Sequence, residues 1–429
     1  MLTLSAFDAA AILILIAAIL GYINHRFVKL PSAIGLTVMG AIASLIIIAI
    51  SALFPSMGLS QMVERFLSDI DFHRTLMEGM LSFLLFAGAL HVDWTDMKQG
   101  RWTILALATF GVMLSTALVG YGFYLLSGAF GINIPLIWCL VFGALISPTD
   151  PVAVMSILKR AAVPPRLQAT VAGESLFNDG VGVVVFSILV SIALGEEAFS
   201  VSHAATEFLQ EAVGGALLGL AAGWIAFRAM RSIDDYSVEV LISLAVVMGG
   251  YSFAHMIHVS GPVAMAVAGL LIGNVGIAEA MSDTTRDYLI KFWVLIDEIL
   301  NAVLFLLIGM EVIILAQQPA LLLFGVLAIP LALAARSISV VSPLALVRRT
   351  FRLGGLSVPT LVWGGLRGGI SIALALSLPE GPFRNAILAA TFAVVLFSVI
   401  VQGGTIGWLV KRLSQRYADG DDPDGEVES

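Results

Sequence analysis

Apolar residues run along this chain in long stretches separated by short polar connections. Stretches long enough to cross a hydrocarbon core, roughly 20 residues for a helix, fall at about 8–25, 33–54, 77–92, 102–127, 133–158, 167–194, 209–229, 236–257, 261–279, 292–316, 319–346, 357–378 and 385–410. Inside lipid every backbone N–H and C=O must find a partner within the protein, so such stretches fold as helices. The pattern therefore predicts an all-α polytopic membrane protein with about thirteen transmembrane helices. Lys and Arg gather in the connections on one side, while Arg65, Arg74 and Arg384 lie on the other and Arg336 and Arg367 fall within spans. Basic connections stay cytoplasmic, which places the amino terminus outside and the carboxyl terminus inside. No positive charge precedes the first apolar run, so that run reads as a retained span rather than a secretory leader.

Composition agrees. The 429 residues are 59% hydrophobic and 12% charged, with a mean hydropathy of +0.99, against about 25% charged residues in soluble domains. A basic stripe is absent, which argues against a nucleic-acid partner; membrane lipid is the expected surrounding. Cys139 is alone, excluding an intramolecular disulfide, and sits in an apolar run as a small hydrophobe. Residues 1–410 read as a single transmembrane domain and 411–429 as a short cytoplasmic tail, acidic from Asp419 onward. The connection at 55–76 suggests an interfacial helix, with Met62, Val63, Phe66 and Leu67 beside Asp69 and Asp71. Gly215, Gly219 and Gly223 give the seventh span a face for close helix packing. The six histidines lie near span ends as ordinary interfacial residues.

Three stretches break the apolar pattern within spans. The fifth span carries Ser147-Pro148-Thr149-Asp150-Pro151 near its middle, where two prolines remove helix donors and clash with preceding carbonyls. The twelfth carries Gly364-Gly365-Leu366-Arg367-Gly368-Gly369, whose glycines free the backbone to unwind. Broken helices at membrane depth are tolerated only where buried in protein or lining a cavity. The two breaks are seven spans apart, so the halves that carry them insert with opposite orientation, as inverted repeats that place a transporter's binding site. The third stretch is Gly173-Glu174-Ser175-Leu176-Phe177-Asn178-Asp179-Gly180 in the sixth span. Helical spacing puts Ser175 and Asp179 on one face and Glu174 and Asn178 on the next.

Carboxylates at this depth are functional-site candidates. Thr149, Asp150, Ser175 and Asp179 could replace the water shell of a small cation such as Na+ with hydroxyl, carboxylate and carbonyl oxygens. Taking a carboxylate out of water penalises its charged form, so H+ competes for the same group. Asp150 is expected to face half-helix amino ends and Arg367 half-helix carboxyl ends. Glu174 is expected to pair with Arg367, and Arg336 has no evident partner. Asp297 and Glu298, two turns into the tenth span, could draw cations into a cytoplasmic funnel or pair with loop cations.

Together these motifs resemble those of the NhaP-type sodium/proton antiporters, within the monovalent cation/proton antiporter superfamily, over Ala9 to Val410. The resemblance implies a thirteen-helix fold with a dimer-interface part and a six-helix core, a homodimer in the cell's inner membrane, and no cofactor beyond the transported Na+ and H+. It implies that Asp179 is the ion and proton carrier, with Ser175 and Thr149 as cation ligands beside Asp150. It also implies that Asn178 before Asp179 marks electroneutral one-for-one exchange and that Glu174 and Arg367 form a buried pair.

Three rivals share these features. A potassium/proton exchanger of the same fold differs only in the width of the site. An intramembrane aspartyl protease would use Asp150 and Asp179 but needs both carboxyls sharing a proton, which a permanent positive charge at Arg367 disfavours. A passive channel is disfavoured by the inverted repeat.

Overall fold

The computed structural model describes residues 6–54, 80–151, 154–155, 157–158, 163–195, 201–310, 312, 319–347 and 357–418. The interfacial helix expected at 55–76 and the acidic tail from Asp419 lie outside the described residues. Every regular element among the described residues is helical. In chain order these are α1 (Ala6–Ile23), α2 (Ser32–Leu53), α3 (Leu81–Leu90), α4 (Trp94–Ala129), α5 (Leu136–Ile146), α6 (Pro165–Leu194) and α7 (Val201–Met230). They continue with α8 (Tyr236–Met256), α9 (Gly261–Glu279), α10 (Asp283–Met310), α11 (Pro319–Val347), α12 (Ser357–Trp363), α13 (Gly369–Leu376), α14 (Arg384–Phe397) and α15 (Gly403–Ala418).

Among the described residues, ten helices are long and apolar enough to cross a membrane. The remaining three expected segments hold the ten-residue α3, the eleven-residue α5, and the split pair α12 and α13. Large apolar side chains such as Ile14, Leu15, Leu217, Trp224 and Ile225 point outward. That surface suits lipid and would be an aggregation liability in water.

Burial separates into two apolar clusters. The larger runs through α4, α5, α6, α11, α13 and α14, where Phe123 stacks on Phe142 and is tilted against Phe324. The smaller joins α3, α7, α8, α9 and the first half of α10 around Phe86 and Trp293. Trp293 satisfies its buried indole N–H on Ser243 Oγ at 3.0 Å. The glycine stripe expected on the seventh span does what its spacing predicts. An added Cβ at Gly219 would sit 2.3 Å from the Ala264 carbonyl, and one at Gly215 2.5 Å from that of Ser260, so α7 lies backbone-to-backbone on α9. Within the larger cluster, α2 packs along the second half of α10, with Thr37 Oγ1 on the Phe305 carbonyl at 3.1 Å and Ser44 Oγ on that of Met310 at 3.0 Å. Cys139 is fully buried.

Candidate ion-binding site

Both expected breaks are present, and they touch. Helix α5 stops at Ile146, and Ser147 to Pro151 runs as irregular backbone because Pro148 and Pro151 supply no N–H and disfavour helical dihedrals in the residues before them. Helix α12 stops at Trp363, and the chain re-enters a helix at Gly369 after five residues that include three glycines. The Asp150 backbone N–H donates to the Leu366 carbonyl at 2.8 Å, which ties one break directly to the other. Arg367 closes the crossing. Its guanidinium donates to the carbonyls of Ser147 and, at 2.9 Å, of Pro148, where the carboxyl end of α5 leaves orphan acceptors. Its backbone N–H is held by Ser398 Oγ at 2.9 Å.

Helix α6 passes this crossing and presents Glu174, Ser175, Asn178 and Asp179, all buried, as is Thr149. Thr149 Oγ1 and Ser175 Oγ lie 3.0 Å apart. Asn178 is the hub. Its Oδ1 accepts from the Thr149 backbone N–H at 3.2 Å, and its Nδ2 donates to Thr149 Oγ1 at 2.8 Å and toward Glu174 Oε1 at 3.5 Å. This network fixes which way the amide points and locks the first break onto α6.

The expected pairing of Glu174 with Arg367 is corrected. Glu174 is held instead by Arg336 of α11, Nη1 to Oε1 at 2.5 Å and Nη2 to Oε2 at 2.9 Å, and the same Nη2 also reaches the Leu361 carbonyl at 2.9 Å. The reason is spatial. Arg367 is committed to the carbonyls of the first break, and Gly365 leaves room for Arg336, since a Cβ there would sit 2.4 Å from Arg336 Nε. The pair forms a parallel two-bond fork.

A cavity of about 710 Å³ is lined by Thr149, Asp150 and Asp179, and also by Asp297, Glu298, Asn301 and Ser371. It reaches Asp93 and Asp96 at the start of α4. Asp297 Oδ1 accepts from Asn301 Nδ2 at 3.0 Å. The structure thus gathers Thr149, Asp150, Ser175, Asn178 and Asp179 at one place, with Asp297 and Glu298 on the wall of the same cavity. Sequence reasoning missed Asn301 and Ser371, polar residues in apolar helices with no distinctive spacing. Among the described residues no three carboxylate, imidazole or thiol side chains converge. Two carboxylates beside neutral hydroxyls offer the oxygen donors that a hard cation takes.

Two half-broken helices crossed beside buried carboxylates are the architecture of an ion-coupled secondary transporter. The chain belongs to the sodium/hydrogen exchanger family, whose transmembrane profile matches residues 14–412. It is 48% identical to the Na(+)/H(+) antiporter NhaP of Pseudomonas aeruginosa over 95% of this chain and 96% of that one. It is 34% identical to the Na(+)/H(+) antiporter NhaH of Halobacillus dabanensis over 90% and 93%. The fold matches the sodium proton antiporter MjNhaP1 of Methanocaldococcus jannaschii, solved at pH 8, with a TM-score of 0.72 over 95% of this chain and 98% of that one, at 20% identity.

Proposed function

We propose that this protein exchanges Na+ or Li+ for H+ across the cell membrane by alternating access, with both ions competing for Asp179. The observation that carries the reading is the network of Thr149, Ser175 and Asn178, which binds the broken fifth span to α6 beside Asp150 and Asp179. In one loaded form the Asp179 carboxylate, Asp150 and the hydroxyls of Thr149 and Ser175 surround the cation. In the other, Asp179 carries a proton and the cation is gone.

The proposed stoichiometry is supported by which charges are already committed. Glu174 is balanced by Arg336, and Arg367 by helix-end carbonyls. Asn178 adds no second titrating carboxyl next to Asp179. A single exchangeable positive charge is carried in each direction, so exchange is electroneutral, one Na+ for one H+. Asp297 and Glu298 raise the cation concentration along the approach. The working form is a homodimer in the inner membrane with its carboxyl terminus in the cytoplasm.

The test is exchange in proteoliposomes loaded with a pH dye, given Na+, Li+ or K+ pulses with the voltage clamped and unclamped. Na+ and Li+ should move protons regardless of voltage, and Asp179→Asn should abolish the signal. Exchange with K+ alone would move the assignment to a potassium/proton antiporter. A normal rate in Asp179→Asn would remove Asp179 from its role.

A further inference from the structure

The exchange scheme gives no part to Ser371, a buried hydroxyl at the crossing. Ser371 stands in the first turn of α13 and is 1% exposed. Among the described residues its hydroxyl has no hydrogen-bond partner. Several other hydroxyls in the helices return to the carbonyl four residues back, such as Thr37 to Ala33, Thr170 to Arg166, Ser337 to Leu333 and Thr391 to Ile387. Ser371 has no such recourse. The residue four back is Arg367, inside the break, and Gly368 is extended at φ −126°, ψ −156°, so no helical turn delivers a carbonyl. A buried polar group left open is costly, which suits it to a partner that comes and goes.

The same geometry says where that partner sits. Gly368 is the N-cap of α13 and supplies no capping side chain. An added Cβ there would lie 2.2 Å from Asp150 Oδ2, so the Asp150 carboxylate stands where a capping side chain would. In a helix start the N-cap side chain and the N3 residue meet, and Ser371 is N3 of α13. Ser371 also lines the cavity shared by Thr149, Asp150 and Asp179. A hydroxyl in this position can donate its proton toward a carboxylate and keep its lone pairs for a cation.

We propose that Ser371 is a further residue of the cation site, its hydroxyl oxygen ligating the transported Na+ or Li+ on the Asp150 side. The proposal rests on the antiporter reading and adds a ligand from the second broken helix. The two broken helices would then hold the ion between them, Thr149 and Asp150 from one and Ser371 from the other.

The experiment compares wild type, Ser371→Ala, Ser371→Thr and Asp179→Asn, each purified, by proteoliposome exchange and by thermal melting with and without Na+. Ser371→Ala should raise KM for Na+ and Li+ by about tenfold, the loss of a single weak ligand, with Vmax changed by less than about twofold. Ser371→Thr, which keeps the oxygen, should restore KM. Without Na+, Ser371→Ala should melt at or above the wild-type temperature, because alanine removes an unpaired buried hydroxyl, while its Na+-induced rise should shrink. A merely structural hydroxyl gives the opposite sign, a lower melting temperature without Na+ and an unchanged KM, and that result overturns the proposal. So does an unchanged KM with unchanged melting. If the wild type shows neither Na+-driven exchange nor a Na+-induced rise, or Asp179→Asn exchanges normally, the antiporter reading itself has failed, an outcome distinct from a silent Ser371→Ala beside a working wild type.

Discussion

Breaking the Glu174–Arg336 pair is the sharpest test of how the crossing is held. The side chains are 2% and 8% exposed and meet through two hydrogen bonds. In Arg336→Ala, Glu174 keeps as a hydrogen-bond partner among the described residues the distant Asn178 amide at 3.5 Å. In Glu174→Ala, Arg336 keeps only the Leu361 carbonyl, and its Nε already lacks a partner among the described residues. Removing one partner of a buried pair leaves an uncompensated charge and costs about 3–5 kcal/mol. Removing both discards that penalty, so the double variant should be more stable than the sum of the single losses, with an interaction energy of about 2–3 kcal/mol. The assay is reversible unfolding in mixed micelles across the four members of the cycle. A parallel cycle of Glu174→Ala with Arg367→Ala should show a coupling of less than half that size, because Arg367 is spent on the Ser147 and Pro148 carbonyls. A stronger coupling of Glu174 to Arg367 than to Arg336 would refute this account of the crossing.

Two further substitutions probe the same region. Asn178→Asp loses the amide that donates to Thr149 Oγ1 and Glu174 Oε1 and sets a carboxylate against Glu174; unfolding should show a loss of about 1–3 kcal/mol, and transport should fall rather than become electrogenic with normal turnover. Gly368→Ala would drive a methyl to within 2.2 Å of Asp150 Oδ2 and 2.6 Å of Asp150 Cβ, the second of which the backbone holds in place; it should abolish exchange while costing about 1–3 kcal/mol of stability, and wild-type exchange would show that the two breaks are less tightly apposed.

The breaks were legible because their rules are local. Proline and glycine change the backbone wherever they stand, so Pro148, Pro151 and Gly364 to Gly369 announce interruptions without any tertiary knowledge. The polar cluster was legible for a similar reason, since i,i+4 spacing on α6 fixes which side chains share a face. The partner of Glu174 was not. Two arginines lie within spans, and choosing between them depends on where α11 passes the second break and on the space that Gly365 leaves, neither of which is written in spacing. Asn301 and Ser371 were invisible for another reason, because one polar residue in an apolar helix carries no pattern. Ser371 becomes informative only when the helix is seen to start two residues before it.

The crossing also explains why its charges divide into fixed and exchangeable ones. Each break answers the other's exposed ends: Arg367 of the second meets the carboxyl end of α5, and Asp150 of the first lies against the N-cap of α13. Asp150 is further tied to the second break through its backbone N–H on Leu366. Glu174 is neutralised by Arg336, which enters beside Gly365. Two glycines of the second break thus admit one charged side chain each, and a bulkier residue at either would cost the crossing one of its compensations. In the proposed exchange, with these charges balanced by partners that stay in place, a cation at Asp179 would change the charge of the site by one unit, and a proton there by the same unit. On that proposal, equal charge in the two loaded forms would let either one pass through the same alternating motion, and a site with Asp in place of Asn178 would break that equality.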